Sequence, residues 1–141
     1  FDLQPLLDEG RLDERLWRTF LVYLTCSSKP AAEMLSPQVP RDLEEIFAAH
    51  FQGMTAATVT AASLLEVRAR LLQRIAELLD SPSRAFLESV EREAPDFDLI
   101  GLPHAADLPG VRRKLTNMSQ RSAAKRTADY EQLKDFLRRS P

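Results

Sequence analysis

Two histidines, one cysteine and two closely set carboxylate pairs are the residues of this chain whose types could carry chemistry. His50 and His104 do not have the four-residue spacing of a helical metal pair. His50 falls on an apolar helical stripe, which predicts a packed, hydrogen-bonded core histidine. His104 follows Pro103 in a loop and is expected to be exposed or capping. Cys26 follows an apolar helix and has no identifiable base to activate it, so it reads as a small buried hydrophobe. Glu44 and Glu45 are adjacent and face outward on a helix. Asp96 and Asp98 flank Phe97, and an Asp-x-Asp pair can hold a divalent cation. No Gly-Ser strand precedes them, and turn formation after Pro95 explains both residues. No phosphate loop, dinucleotide fingerprint or His-Glu-x-x-His pair occurs. No catalytic residue, metal ligand or cofactor site is therefore expected within this chain.

Charge is the second chemical signal. The net charge of −2 hides an asymmetry. Residues 112–141 carry nine basic and three acidic groups, a net of +6, whereas the remainder carries ten basic and 18 acidic groups, a net of −8. Arg112, Arg113, Lys114, Arg121, Lys125 and Arg126 are the candidate RNA- or phosphate-binding residues, because such a block attracts phosphates or an acidic partner. The plainer reading, favoured here, is a solvated basic face balanced by acids elsewhere in the fold.

The elements that would hold these residues are helices. Asp13 is a suitable N-cap for a helix over about 14–25, and its apolar residues from Leu16 to Leu24 lie nearly all round, predicting burial at the centre of a bundle. Ser27 to Pro30 break it, and Pro30 begins a short helix with Ala31, Met34 and Leu35. From Arg41 to Gln52, Leu43, Ile46, Phe47, His50 and Phe51 form one stripe. Gly53 is a natural stop, and 53–59 reads as a connection. Thr60 caps the clearest helix, about 61–79, with Leu64, Val67, Leu71, Ile75 and Leu78 on one face and a Glu66–Arg70 pair in the favourable order on the other. Asp80 to Pro82 start a helix that packs Phe86, Leu87 and Val90. Residues 95–107 are loop-like, with Phe97, Leu99, Ile100 and Leu102 turned to the core. Pro109 opens a helix with Leu108, Val111, Leu115 and Met118 on one stripe and Arg112, Arg113 and Lys114 around the rest. Ser122 caps the last helix, whose inner face is Tyr130, Leu133, Phe136 and Leu137.

No stretch alternates with period two and no internal repeat is visible, so the expected fold class is all-α, an irregular bundle of about seven helices. A length of 141 residues, 44% of them hydrophobic and 28% charged, suits one packed domain and excludes disorder throughout. Four glycines argue against a turn-rich β sandwich. The longest apolar stretch, near 20–24, is too short to span a bilayer. A single cysteine excludes a disulfide framework, and with no secretory signal the expected setting is a reducing cytoplasm. The chain begins at Phe1 rather than Met, which leads us to expect a piece of a longer protein.

Four phrases, in order along most of the chain, carry a resemblance. They are FDLQPLLDEG (Phe1 to Gly10), LWRTFLVYLTCSSKPAAEMLSP (Leu16 to Pro37), HFQGMTAATVTAASLLEVRARL (His50 to Leu71) and FLESVEREAPDFDLIGLPHAADLPGVRRKLTNM (Phe86 to Met118). Together the sequence resembles the C-terminal helical region of AbiEii/AbiGii-type nucleotidyltransferase toxins of type IV toxin–antitoxin, or abortive-infection, systems. In that family the first phrase closes the catalytic domain, so the resemblance implies that residues 1–10 are a remnant of a preceding nucleotidyltransferase domain and 11–141 a single helical domain. It also departs from the family pattern: Arg113 and Phe97 stand where relatives usually have Trp. The Gly-Ser stretch and the strand-borne acids that hold Mg²⁺ against a nucleoside triphosphate are absent from residues 1–141. Asp2 is either the last trace of the catalytic motif or a helix N-terminal charge.

The resemblance thus implies a helical accessory domain that supports a catalytic domain, with Mg²⁺ and nucleoside triphosphate bound only by that domain. A basic face would guide RNA or nucleotide toward it. The alternative is a structural or protein-interaction domain that docks an antitoxin or another subunit and binds no nucleic acid. No membrane partner is expected.

Overall fold

The computed structural model describes residues 3–51, 53–54 and 59–140. Among them are eight α-helices and no strand, an irregular helical bundle: α1 (Leu3–Asp8), α2 (Glu14–Cys26), α3 (Ala31–Leu35), α4 (Leu43–His50), α5 (Ala61–Leu78), α6 (Ser81–Glu91), α7 (Pro109–Ser119) and α8 (Ala123–Arg139). Two short 3₁₀ turns, Phe97–Ile100 and Pro103–Asp107, join α6 to α7. Phe1 and Asp2 lie outside the described residues, as does most of the 53–59 connection.

The helix starts follow capping chemistry. Asp13 accepts from the Leu16 amide, Asp80 from the Ser83 amide and Ser122 from the Lys125 amide. Thr60 and Ser63 form a reciprocal capping box at the start of α5. The core is built on α2. Trp17, Leu21 and Leu24 meet Phe86, Leu87 and Val90 of α6, Val111 of α7 and Leu133 and Leu137 of α8, and Phe97 and Ile100 of the first 3₁₀ turn close one end.

Several expectations are corrected by this packing. α2 is not buried all round: Leu16 and Tyr23 are exposed, because α2 lies at the side of the bundle with one ridge in solvent. Arg70 does not pair with Glu66. It reaches Asp8 of α1 at 2.6 Å and so fastens α1 to α5. His50 is exposed, since α4 packs mainly on α5 and buries no residue. Leu102 and Leu108 face solvent rather than the core, and residues 97–107 are 3₁₀ turns rather than open loop. The eighth helix beyond the seven expected is α1.

Candidate functional site

The basic block of α7 and α8 wraps the turn that links α2 to α3. A tight turn between buried helices leaves carbonyl oxygens that need donors. Lys114, 3% exposed, donates its Nζ to the Lys29 carbonyl at 2.6 Å. Arg121 donates to the Ser28 carbonyl and to Asp129 Oδ2, each at 2.9 Å. Glu91 of α6, also buried, accepts from the Ala31 amide at 3.1 Å. Burial pushes the Lys114 ammonium below the usual lysine range, and the nearby Glu91 charge partly opposes this.

Asp129 of α8 is the acid at the centre of this arrangement, with only 2% of its side chain exposed. Lys125 Nζ stands 2.8 Å from its Oδ1. That oxygen accepts no well-directed hydrogen bond, so Lys125 neutralises it by proximity. Arg126 contacts both carboxylate oxygens of Glu93, at 3.1 and 3.3 Å. Glu93 itself occupies the left-handed region at φ 64°, just past the end of α6, where glycine is usual. Arg112 pairs with Asp107 at 2.8 Å on the surface.

Five of the six basic residues singled out by sequence are therefore engaged within the fold. Lys114, expected on the outer arc of α7, is buried, its Nζ drawn inward to the Lys29 carbonyl. Arg113 alone of the six is exposed with no side-chain partner among the described residues. Asp129 was not singled out by sequence. Its signal was there, an acid four residues after Lys125 inside a basic block.

Beside this cluster, α2, the second 3₁₀ turn and the start of α7 enclose an open apolar cleft of about 510 Å³. Tyr23, 72% exposed, stands at its rim with Leu102 and Leu108. Cys26 lies in its wall, and burial pushes its thiol upward despite a hydrogen bond with Thr25. A protonated thiol is a poor nucleophile, in keeping with a packing role. At one end of the cleft α7 approaches α2 closely at Gly110, where an added Cβ would stand 2.7 Å from Cys26 Sγ and 3.0 Å from its Cβ. Gly110→Ala is expected to cost about 1–3 kcal/mol through overpacking, with partial recovery in Gly110→Ala/Cys26→Ala. Urea unfolding of the two variants checks this, and a cost below about 0.5 kcal/mol for the single change would refute the close contact.

His50, His104, Glu44 and Glu45 stand apart on the surface. Asp96 accepts from the Asp98 amide at 3.1 Å, the geometry of a turn. Among the described residues no three His, Cys, Asp or Glu side chains gather as a metal ion would require. No described helix is long and apolar enough to cross a membrane. Fold and site together define an all-helical domain with an internally engaged basic cluster and an apolar cleft beside it. No family model, curated protein or solved structure matches the chain.

Proposed function

We propose that this chain is a helical accessory domain without a reaction centre, of the kind that accompanies the catalytic domain in AbiEii/AbiGii-type nucleotidyltransferase toxins, and that it works by protein contact. The observation that carries the protein-contact reading is the engagement of Lys114, Arg121, Lys125 and Arg126 with Asp129, Glu93 and the 28–29 carbonyls. Phosphate binding by these groups would first have to break contacts that hold α2, α3, α6 and α8 together. The family assignment is supported by the ordered phrases of the sequence. In this reading the partner is the nucleotidyltransferase domain or an antitoxin, in the cytoplasm, and any Mg²⁺ or nucleotide is bound outside this chain.

A second reading, RNA guidance, is favoured by one observation: Arg113 is exposed and has no side-chain partner among the described residues, within a segment of net charge +6. The two are separated by titrating labelled tRNA-like RNA with the protein and following anisotropy against salt. Six phosphate contacts would weaken binding by at least about a thousandfold between 50 and 200 mM salt. We expect no saturable binding even at low salt and no effect of Arg113→Glu. Tight binding with a steep salt slope, lost in Arg113→Glu, would replace protein contact by RNA guidance. Incubation with Mg²⁺ and nucleoside triphosphates is expected to give no nucleotide transfer, and turnover would overturn the accessory role itself.

A further inference from the structure

Two surfaces of opposite character are left unused by the fold. The first is on the α4–α5 pair, neither helix of which buries a residue. Val39, Leu43 and Leu65 line a groove of about 390 Å³ there, and Asp42, Glu44 and Glu45 stand in its walls with Arg41 the single base. These three acids form no ion pair among the described residues, unlike most charged side chains of α7 and α8. The second surface is the rim of the α2–α7 cleft. Tyr23 projects from it, Arg15 lies two turns earlier on the same ridge of α2, and Arg113 one turn beyond Pro109 on α7. Arg15 and Arg113 are exposed and unpaired among the described residues.

We propose that these two surfaces bind each other between copies of this chain. Tyr23 of one copy seats in the Val39–Leu65 groove of the next, and Arg15 and Arg113 face Asp42, Glu44 and Glu45. A second copy is the occupant because each surface presents what the other lacks. One is a groove lined by Val39, Leu43 and Leu65 and edged by acids, the other a projecting aromatic flanked by arginines, and neither set of charges is ion-paired among the described residues. Tyrosine and arginine are also the residue types that most often dominate interface energies. Unlike surfaces join copies head to tail, so the assembly closes only if the rotation between copies allows a ring, and otherwise extends. This association does not depend on the family relationship, and its failure would leave the accessory-domain reading standing.

The test is sedimentation velocity of the intact chain from about 1 to 200 µM, at low and high salt. The wild type is expected to exceed monomer mass as concentration rises, and less so at high salt. Arg15→Glu/Arg113→Glu damages one surface and Glu44→Lys/Glu45→Lys the other. Each variant alone is expected to associate at least about tenfold more weakly, as are Tyr23→Ser and Leu65→Asp. The intact surface of each charge-reversed variant is the partner of the one left intact on the other, and their reversed charges are again opposite in sign, so their equimolar mixture is expected to associate where neither does alone. Circular dichroism confirms that each variant keeps its helix content. A wild type that stays monomeric throughout, variants that associate like the wild type, or a mixture that remains monomeric would each overturn the proposal.

Discussion

Asp129→Ala is expected to lower folding stability by about 3–5 kcal/mol, because it leaves buried cations without their counter-charge. In a domain of this size that corresponds to a fall in midpoint temperature of roughly 10–20 °C. Arg121 has only a fifth of its side chain exposed and would keep one partner, the Ser28 carbonyl. Lys114 would keep the Lys29 carbonyl but lose a carboxylate that favours its charged form. The pH dependence follows from the direction of the Lys114 shift. Its pKa is lower folded than unfolded, so between those two values the unfolded chain binds more protons and stability rises with pH. Removing Asp129 lowers the folded pKa further and widens that window. The deficit of Asp129→Ala is therefore expected to be smaller near pH 10 than at pH 7. Adding Arg121→Ala to Asp129→Ala is expected to cost less than Arg121→Ala alone, the signature of a coupled pair. A loss below about 1 kcal/mol for Asp129→Ala would mean that water reaches this cluster and that its cations are free for other partners.

That outcome bears on how far the site could be read from sequence. The +6 block was visible as a count, but a count does not say where a lysine's stem leads. Lys114 sits at a helix position that periodicity places beside its exposed neighbours, and it turns inward because the Lys29 carbonyl, 85 residues earlier in the sequence, needs a donor. Such a demand arises only when α2, α3 and α7 are packed together. The same reason hides Arg70, whose helical partner Glu66 was the local choice and whose actual partner, Asp8, lies on another helix. Helix starts were legible because capping is local: Asp13, Thr60, Asp80 and Ser122 each bond within three residues. The exposure of Tyr23 was not, because an apolar helix does not announce which ridge its neighbours leave bare. Residues 97–107 lacked periodicity and were legible only as apolar residues between prolines, of which Phe97 and Ile100 reach the core and Leu102 does not.

Trp17→Ala is expected to cost about 3–5 kcal/mol, a large part of the stability of an ordinary domain. Trp17 is 1% exposed and its ring stacks on Phe20 with centroids 5.7 Å apart. Its Nε1 donates to the buried Ser83 hydroxyl at 3.0 Å, tying α2 to the first turn of α6, where Asp80 caps the Ser83 amide. Truncation removes the largest side chain of the core and one partner of a buried hydroxyl together. Trp17→Phe separates the two: it keeps most of the volume, and its cost of about 1–3 kcal/mol reports the orphaned hydroxyl. Ser83→Ala in the Trp17→Phe background is then expected to restore part of the loss, since both ends of the bond become apolar. Trp17 and Tyr23 are six residues apart, about 240° around the helix, so the side of α2 that anchors the core is not the side that carries the proposed self-contact. Trp17→Phe is therefore expected to lower the urea midpoint while leaving concentration-dependent association near the wild-type level. Loss of association at full helix content would show instead that the seating of α2 on α6 sets the position of Tyr23. A cost below about 1 kcal/mol for Trp17→Ala would contradict the burial of this face of α2 in the core.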